Sequence, residues 1–136
     1  MTIPNWVSIA LVAAFIVLGL LVLPLSEVGW RLVAGLALLV LGFVLNAIGQ
    51  MGGGDAKLIA ASAPYVAFAD VAPALAIFSL TIFATLVLHR IARAIPAVRR
   101  ATPDWASWEA GRKFPMGISI AGALVVYLAV KAISGF

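Results

Sequence analysis

The sequence predicts an all-α membrane protein: a polytopic bundle of about five transmembrane segments forming a single domain over residues 1–136. Three observations carry that prediction. Of 136 residues, 65% are hydrophobic and 10% are charged, whereas soluble domains run nearer half apolar and a quarter charged. Mean hydropathy is +1.18, and a small soluble domain has too much surface to hide so much apolar side chain. The apolar residues also fall into runs close to the roughly 20 residues that cross a bilayer as a helix.

The first run covers residues 3–25. Pro4 suits the first turn of a helix, where its missing N–H breaks no bond. A short turn, Pro24-Leu25-Ser26-Glu27-Val28-Gly29, leads into a second run over 29–48. A glycine-rich break follows at Gly49-Gln50-Met51-Gly52-Gly53-Gly54-Asp55. The third run, 55–70, is the weakest, because it contains Lys57, Ser62 and Pro64. Its apolar part spans only about 20 Å as a helix. The fourth run, 71–95, is a convincing span. A polar loop then holds most of the charge before the fifth run at 114–134. Trp6, Trp30, Trp105 and Trp108 lie at run ends or in the polar loop, where an interfacial aromatic belt belongs.

Composition also excludes chemistry. The chain has no cysteine and one histidine, His89, so thiolate ligands, cysteine nucleophiles and His-rich metal clusters are ruled out. No cofactor and no metal are expected. The formal charge is +4, but no stretch interleaves basic and aromatic residues as a nucleic-acid surface does, so no nucleic-acid partner is expected. The basic residues instead report on topology. If all five runs cross and the N-terminus is cytoplasmic, Lys57, Arg90, Arg93, Arg99, Arg100, Arg112 and Lys113 lie inside, with Arg31 and Lys131 outside. If the third run does not cross and the N-terminus is external, Arg31 and Lys57 exchange sides and the balance is unchanged. Charge counting puts the Arg-rich loop inside and leaves the side of Asp55 open.

The one dense polar constellation is Gly52-Gly53-Gly54-Asp55-Ala56-Lys57. Glycine permits positive φ and close approach of another backbone. Asp55 is placed to cap the third run, with free backbone N–H groups and nearby Lys57 stabilising its carboxylate. Asn46 and Gln50 approach this turn from the preceding helix and are placed to bond its backbone. A flexible interhelical loop is the plain alternative. Ionisable groups at membrane depth are nonetheless functional candidates.

Met51-Gly52-Gly53-Gly54-Asp55-Ala56-Lys57-Leu58 resembles the GxGD motif of the type IV prepilin peptidases, with Gly52, Gly54 and Asp55 as its fixed letters. Ile3-Pro4-Asn5-Trp6 resembles the Ile-Pro-Asn that opens the second helix of that family. Phe114-Pro115-Met116-Gly117-Ile118-Ser119-Ile120-Ala121-Gly122 is similar to the stretch opening its last helix, with Met116 in place of an aromatic and Ser119 in place of an alanine. The matches keep the family's order and span almost the whole chain. The size resembles the short enzymes of Flp-type (tight-adherence) pilus systems.

The resemblance implies a multi-pass protein of the bacterial cytoplasmic membrane with its active site on the cytoplasmic face. It implies a membrane aspartic endopeptidase that removes the leader peptide of prepilins and works beside pilus-assembly machinery. Asp55 is the catalytic residue implied, with Gly52, Gly54 and Lys57 in support. It also settles the topology in favour of five crossings. The family's other aspartate lies just before the Ile-Pro-Asn, so a further helix ahead of Ile3 ending in an aspartate is expected. As written, the chain presents half of a carboxylate pair. A catalytically silent relative, or a small multispan transporter or assembly subunit, is the competing reading. Asp104 and Glu109 read as a solvated surface beside arginines, Arg90 and Arg93 as lipid anchors, and His89 as interfacial.

Overall fold

The computed structural model describes residues 3–104 and 116–134. Among these, four helices are long and apolar enough to cross a membrane, with window mean hydropathies of 2.4, 2.2, 2.3 and 2.0. They are α1 (Asn5–Val22), α2 (Leu25–Ala47), α4 (Val71–Ala94) and α6 (Met116–Ser134). The shorter helices are α3 (Gly53–Ser62) and α5 (Pro96–Ala101). Most large apolar side chains on the long helices face outward, Leu21, Val40 and Leu80 among them. That is the distribution expected when lipid is the solvent.

Residues 24–29 are not the turn the sequence suggested. The connection is only Leu23 and Pro24: Leu23 is extended, as a residue before proline must be, and Pro24 caps α2. Glu27 sits in the first turn of α2, where a carboxylate favours the helix dipole. The polarity read as a loop is a helix start. Pro4 likewise lies one residue outside α1, as its N-cap.

The other end of α2 closes on Gly49, the one described glycine with positive φ, at +77°. The Gln50 N–H reaches the Leu45 carbonyl at 2.9 Å and the Gly49 N–H reaches Asn46 at 3.0 Å. This pair of bonds satisfies the carbonyls that a helix end leaves open. The chain then turns back into α3, which packs antiparallel along α2. Two glycines permit the approach. A methyl at Gly42 would stand 2.7 Å from the Ala56 side chain, and one at Gly35 would stand 2.9 Å from the Ala60 carbonyl oxygen. Small residues that let backbones close together are how helices associate in lipid.

The third run crosses the bundle, but not as one helix. Pro64 has no N–H for the Ala60 carbonyl, so α3 stops at Ser62. The chain continues through tight 3-10 turns at Ala63–Tyr65 and Phe68–Asp70. The helix rises about 15 Å and the first turn about 6 Å more. Around Ala63–Tyr65 that irregular backbone is screened by its neighbours, the condition under which such a crossing is tolerated, whereas Phe68 and Ala69 are exposed at its end. Arg31 donates to the Pro64 carbonyl at 3.5 Å, and Tyr65 donates to the Leu11 carbonyl at 2.7 Å.

At the end of this crossing the Ala67 N–H donates to the Tyr127 hydroxyl at 3.3 Å, and that hydroxyl donates to Asp70 at 2.8 Å. Lys131 forms an ion pair with Asp70. Charge counting in the sequence places Lys131 on the outer side and gives it no partner. The opposite signs of Asp70 and Lys131 at the ends of consecutive spans were the available signal. From Asp70, α4 runs back antiparallel to α6, with Gly122 set against Thr81. The bundle therefore has two distinct ends. One holds the start of α1, the Gly49–Asp55 turn, the end of α4 and the start of α6. The other holds Pro24, Glu27, Arg31, Asp70 and Lys131.

Candidate functional site

The three motif segments meet at the first of these ends. A Cβ on Gly54 would lie 3.2 Å from the Ile3 backbone nitrogen and 3.3 Å from the Ile3 Cβ. A Cβ on Gly117 would lie 3.1 Å from the Ile3 Cδ1. Ile3 is thus wedged between the GxGD turn and the first turn of α6, and a methyl at either glycine would crowd it. Gly52 serves the carboxylate itself: a methyl there would stand 3.0 Å from the Asp55 Oδ2. The glycines at 52 and 54 are needed for close approach, not for unusual backbone angles, which only Gly49 supplies.

Asp55 is the third residue of α3, and Gly52 is its N-cap, with no side-chain capping bond. The expected cap by Asp55 is therefore replaced by a carboxylate folded back over Gly52 within the first turn. It is half-buried there, near the positive end of the helix dipole. Asn46 fulfils its expected role: its side-chain amide donates to the Met51 carbonyl at 2.8 Å and lies beside Gly53. No bond from Gln50 to this turn accompanies it among the described residues.

Lys57 corrects the sequence reading. Its ammonium donates to Asn5 Oδ1 at 3.0 Å, rather than bracing Asp55. The reason is helical geometry, since residues two apart on one helix do not face each other. Asn5 belongs to the Ile-Pro-Asn segment, and its role was missed because nothing local in the sequence links it to position 57. The bond clips α1 to α3 about half a turn from Asp55. It lies in an exposed position and is worth about 1 kcal/mol. Lys57→Ala and Asn5→Ala should each lower stability by about that much, and the double variant should be no worse than either. Denaturant unfolding of the four proteins in detergent micelles checks this; fully additive losses would mean the two side chains act separately.

Two of the remaining acids stand far from Asp55. Glu27 and Asp70 lie at the opposite end, with Glu27 about 30 Å from the motif turn along α2. Asp104 closes the described part of the loop after α5, whereas Glu109, Trp105, Trp108, Arg112, Lys113, Phe114 and Pro115 lie outside the described residues. Ser119, the departure from the family stretch, is fully buried in α6 with its hydroxyl unpartnered among the described residues.

No curated protein and no solved structure matches the chain. The sequence model of the type IV leader peptidase family matches residues 1–89, which include the Ile-Pro-Asn segment, the glycine turn with Asp55, the helices α1 to α3 and most of α4. With most of its length matched and its motif segments gathered around one carboxylate, the chain belongs to the type IV leader peptidase family.

Proposed function

We propose that this chain is a membrane aspartic endopeptidase of the GxGD type that cleaves the leader peptide of type IV or Flp-type prepilins at the cytoplasmic membrane face. The observation that carries the reading is the packing of Ile3, Gly54 and Gly117 around the turn that presents Asp55. Asp55 supplies one carboxylate of the catalytic pair, with Gly52 making room for it, Gly54 making room for Ile3 and Lys57 fastening α3 to α1. When ionised, one carboxylate takes a proton from water as the oxygen attacks the scissile carbonyl carbon. The other, protonated, gives its proton to the carbonyl oxygen. Collapse of the diol then breaks the C–N bond, and the amine leaves with a proton returned by a carboxyl group. One carboxylate cannot hold both protonation states at once, so a partner must reach the same mouth.

The placement of the known acids favours one second reading, a catalytically silent relative. Glu27 and Asp70 stand at the wrong end to complete the pair. The assay that separates the readings is cleavage of an Flp-type prepilin by the 136-residue chain and by any longer product of the same coding region. Cleavage by either supports the peptidase; no cleavage by both supports the silent relative.

The arrangement of cations supports the proposed orientation. Lys57, Arg90, Arg93, Arg99 and Arg100 gather at the motif end, against Arg31 and Lys131 at the other. Because the chain has no cysteine, single cysteines report without background. In intact cells, Gln50→Cys and Thr102→Cys should resist a membrane-impermeant maleimide, and Ser26→Cys should react. Labelling at position 50 with none at 26 would invert the orientation.

A further inference from the structure

A cavity of about 990 Å³ lies away from Asp55. It is a crevice between α2 and α4, backed by α3 and α6, in the half of the bundle that holds Glu27 and Arg31. Its walls carry small residues, Ala34, Ala37 and Ala74, where most neighbouring positions carry bulky ones. Exposed Trp30, Val33 and Leu75 line its outer edges. It therefore opens sideways, toward lipid.

We propose that this crevice holds one acyl chain of a phospholipid from the leaflet opposite the motif end, with an ammonium-bearing headgroup against Glu27. Two features select that occupant. The first is length. Along α2 the lining runs from Ser26 to Leu38, about 18 Å, slightly more than one leaflet, about 15 Å, of a hydrocarbon core about 30 Å thick. A transmembrane helix from a second copy or another protein would need a groove through the full thickness. The second is the placement of charge. The charged lining residues, Glu27 and Arg31, sit together at the outer end, level with the exposed indole of Trp30. The rest of the lining is almost wholly apolar, the division a lipid itself carries.

The sign at the rim chooses the headgroup. Arg31 is drawn inward, paired with Glu27 and reaching the Pro64 carbonyl, so that 15% of its side chain is exposed against 45% for Glu27. The surface offered to a headgroup is therefore a carboxylate. Both Arg31 bonds go to Oε1, so Oε2 is left to accept from the primary ammonium of phosphatidylethanolamine, a donor that phosphatidylglycerol lacks. The lipid would fill the space between α2 and α4 and brace the crossing that carries α3.

The test reconstitutes the full chain in vesicles of equal phosphatidylethanolamine and phosphatidylglycerol, extracts it in mild detergent and weighs it by native mass spectrometry. One phosphatidylethanolamine should accompany each chain. Ala37→Trp should remove it, because the indole fills the crevice, while Leu41→Trp, on the same helix outside the lining, should keep it. If Ala37→Trp does not fold, Ala74→Leu on the facing wall gives the same reading. Glu27→Gln should reduce the preference for phosphatidylethanolamine about tenfold, the effect of one hydrogen bond to a charged group. The proposal is overturned by bare chains, by lipid that survives both filling variants, by selection of phosphatidylglycerol, or by a dimer that Ala37→Trp dissociates.

Discussion

Replacing Asp55 with asparagine should lower leader-peptide cleavage by about 10²–10⁴-fold, the range assigned to a positioned acid–base group. The protein should remain in the membrane with its helices intact. The amide has nearly the same shape as the carboxylate and occupies the space that Gly52 leaves open, where a methyl would stand 3.0 Å from the Oδ2. Asp55 lies at the edge of the bundle rather than in its core, and no capping bond depends on it, so little packing is lost. The measurement is prepilin processing in cells expressing wild type or variant at equal membrane abundance, followed on immunoblots by the shorter mature pilin. Processing at the wild-type rate would remove Asp55 from the mechanism. A conformational effect is separated by Gly52→Ala, which keeps the carboxylate and displaces it. Its loss should be partial, and larger for kcat than for KM if Asp55 acts on the reacting bond.

How far the sequence disclosed this site depends on which force shaped each part. The four long helices were legible because lipid demands unbroken apolar runs with every backbone bond made internally. The third crossing was legible as a weak apolar run but not as a shape. Pro64 announced a break, yet only the packing of Ala60 and Pro64 against Gly35 shows how a ten-residue helix and two 3-10 turns complete the passage. The start of α2 was misread because Ser26, Glu27 and Gly29 look like a loop. Pro24 followed three residues later by a carboxylate is also how helices begin. In the motif, residue identity disclosed the place of Asp55. Its surroundings were hidden, because Ile3, Asn5 and Gly117 are distant in sequence. Lys57 was a local error of geometry: continuing α3 back to Gly53 would have placed it on a different face from Asp55.

The second large effect should come from a residue that touches no substrate. Gly42→Leu should reduce cleavage about 10²-fold or more, on the scale of a 1 Å displacement of a catalytic group, while Gly42→Ala should fall between it and wild type. Gly42 lies in the last third of α2, where even one added methyl would stand 2.7 Å from the Ala56 Cβ and 3.2 Å from its Cα. The second of these contacts is with backbone, so no rotamer change relieves it. Either α2 and α3 separate or α3 slides. Ala56 adjoins Asp55 in sequence, and Ala56 itself is buried, so the displacement passes to the carboxylate through one rigid helix turn. Overpacking of this kind costs about 1–3 kcal/mol for an added methylene, and in lipid there is no hydrophobic gain to offset it, because the separated faces meet acyl chains instead of water. Gly29→Ala is the control, since a Cβ there meets nothing within 4 Å; it should leave both stability and cleavage unchanged. Thermal unfolding in micelles and prepilin processing, measured on the same four proteins, should rank wild type and Gly29→Ala together, then Gly42→Ala, then Gly42→Leu. Wild-type processing by Gly42→Leu would show that the position of Asp55 does not depend on how closely α3 packs against α2.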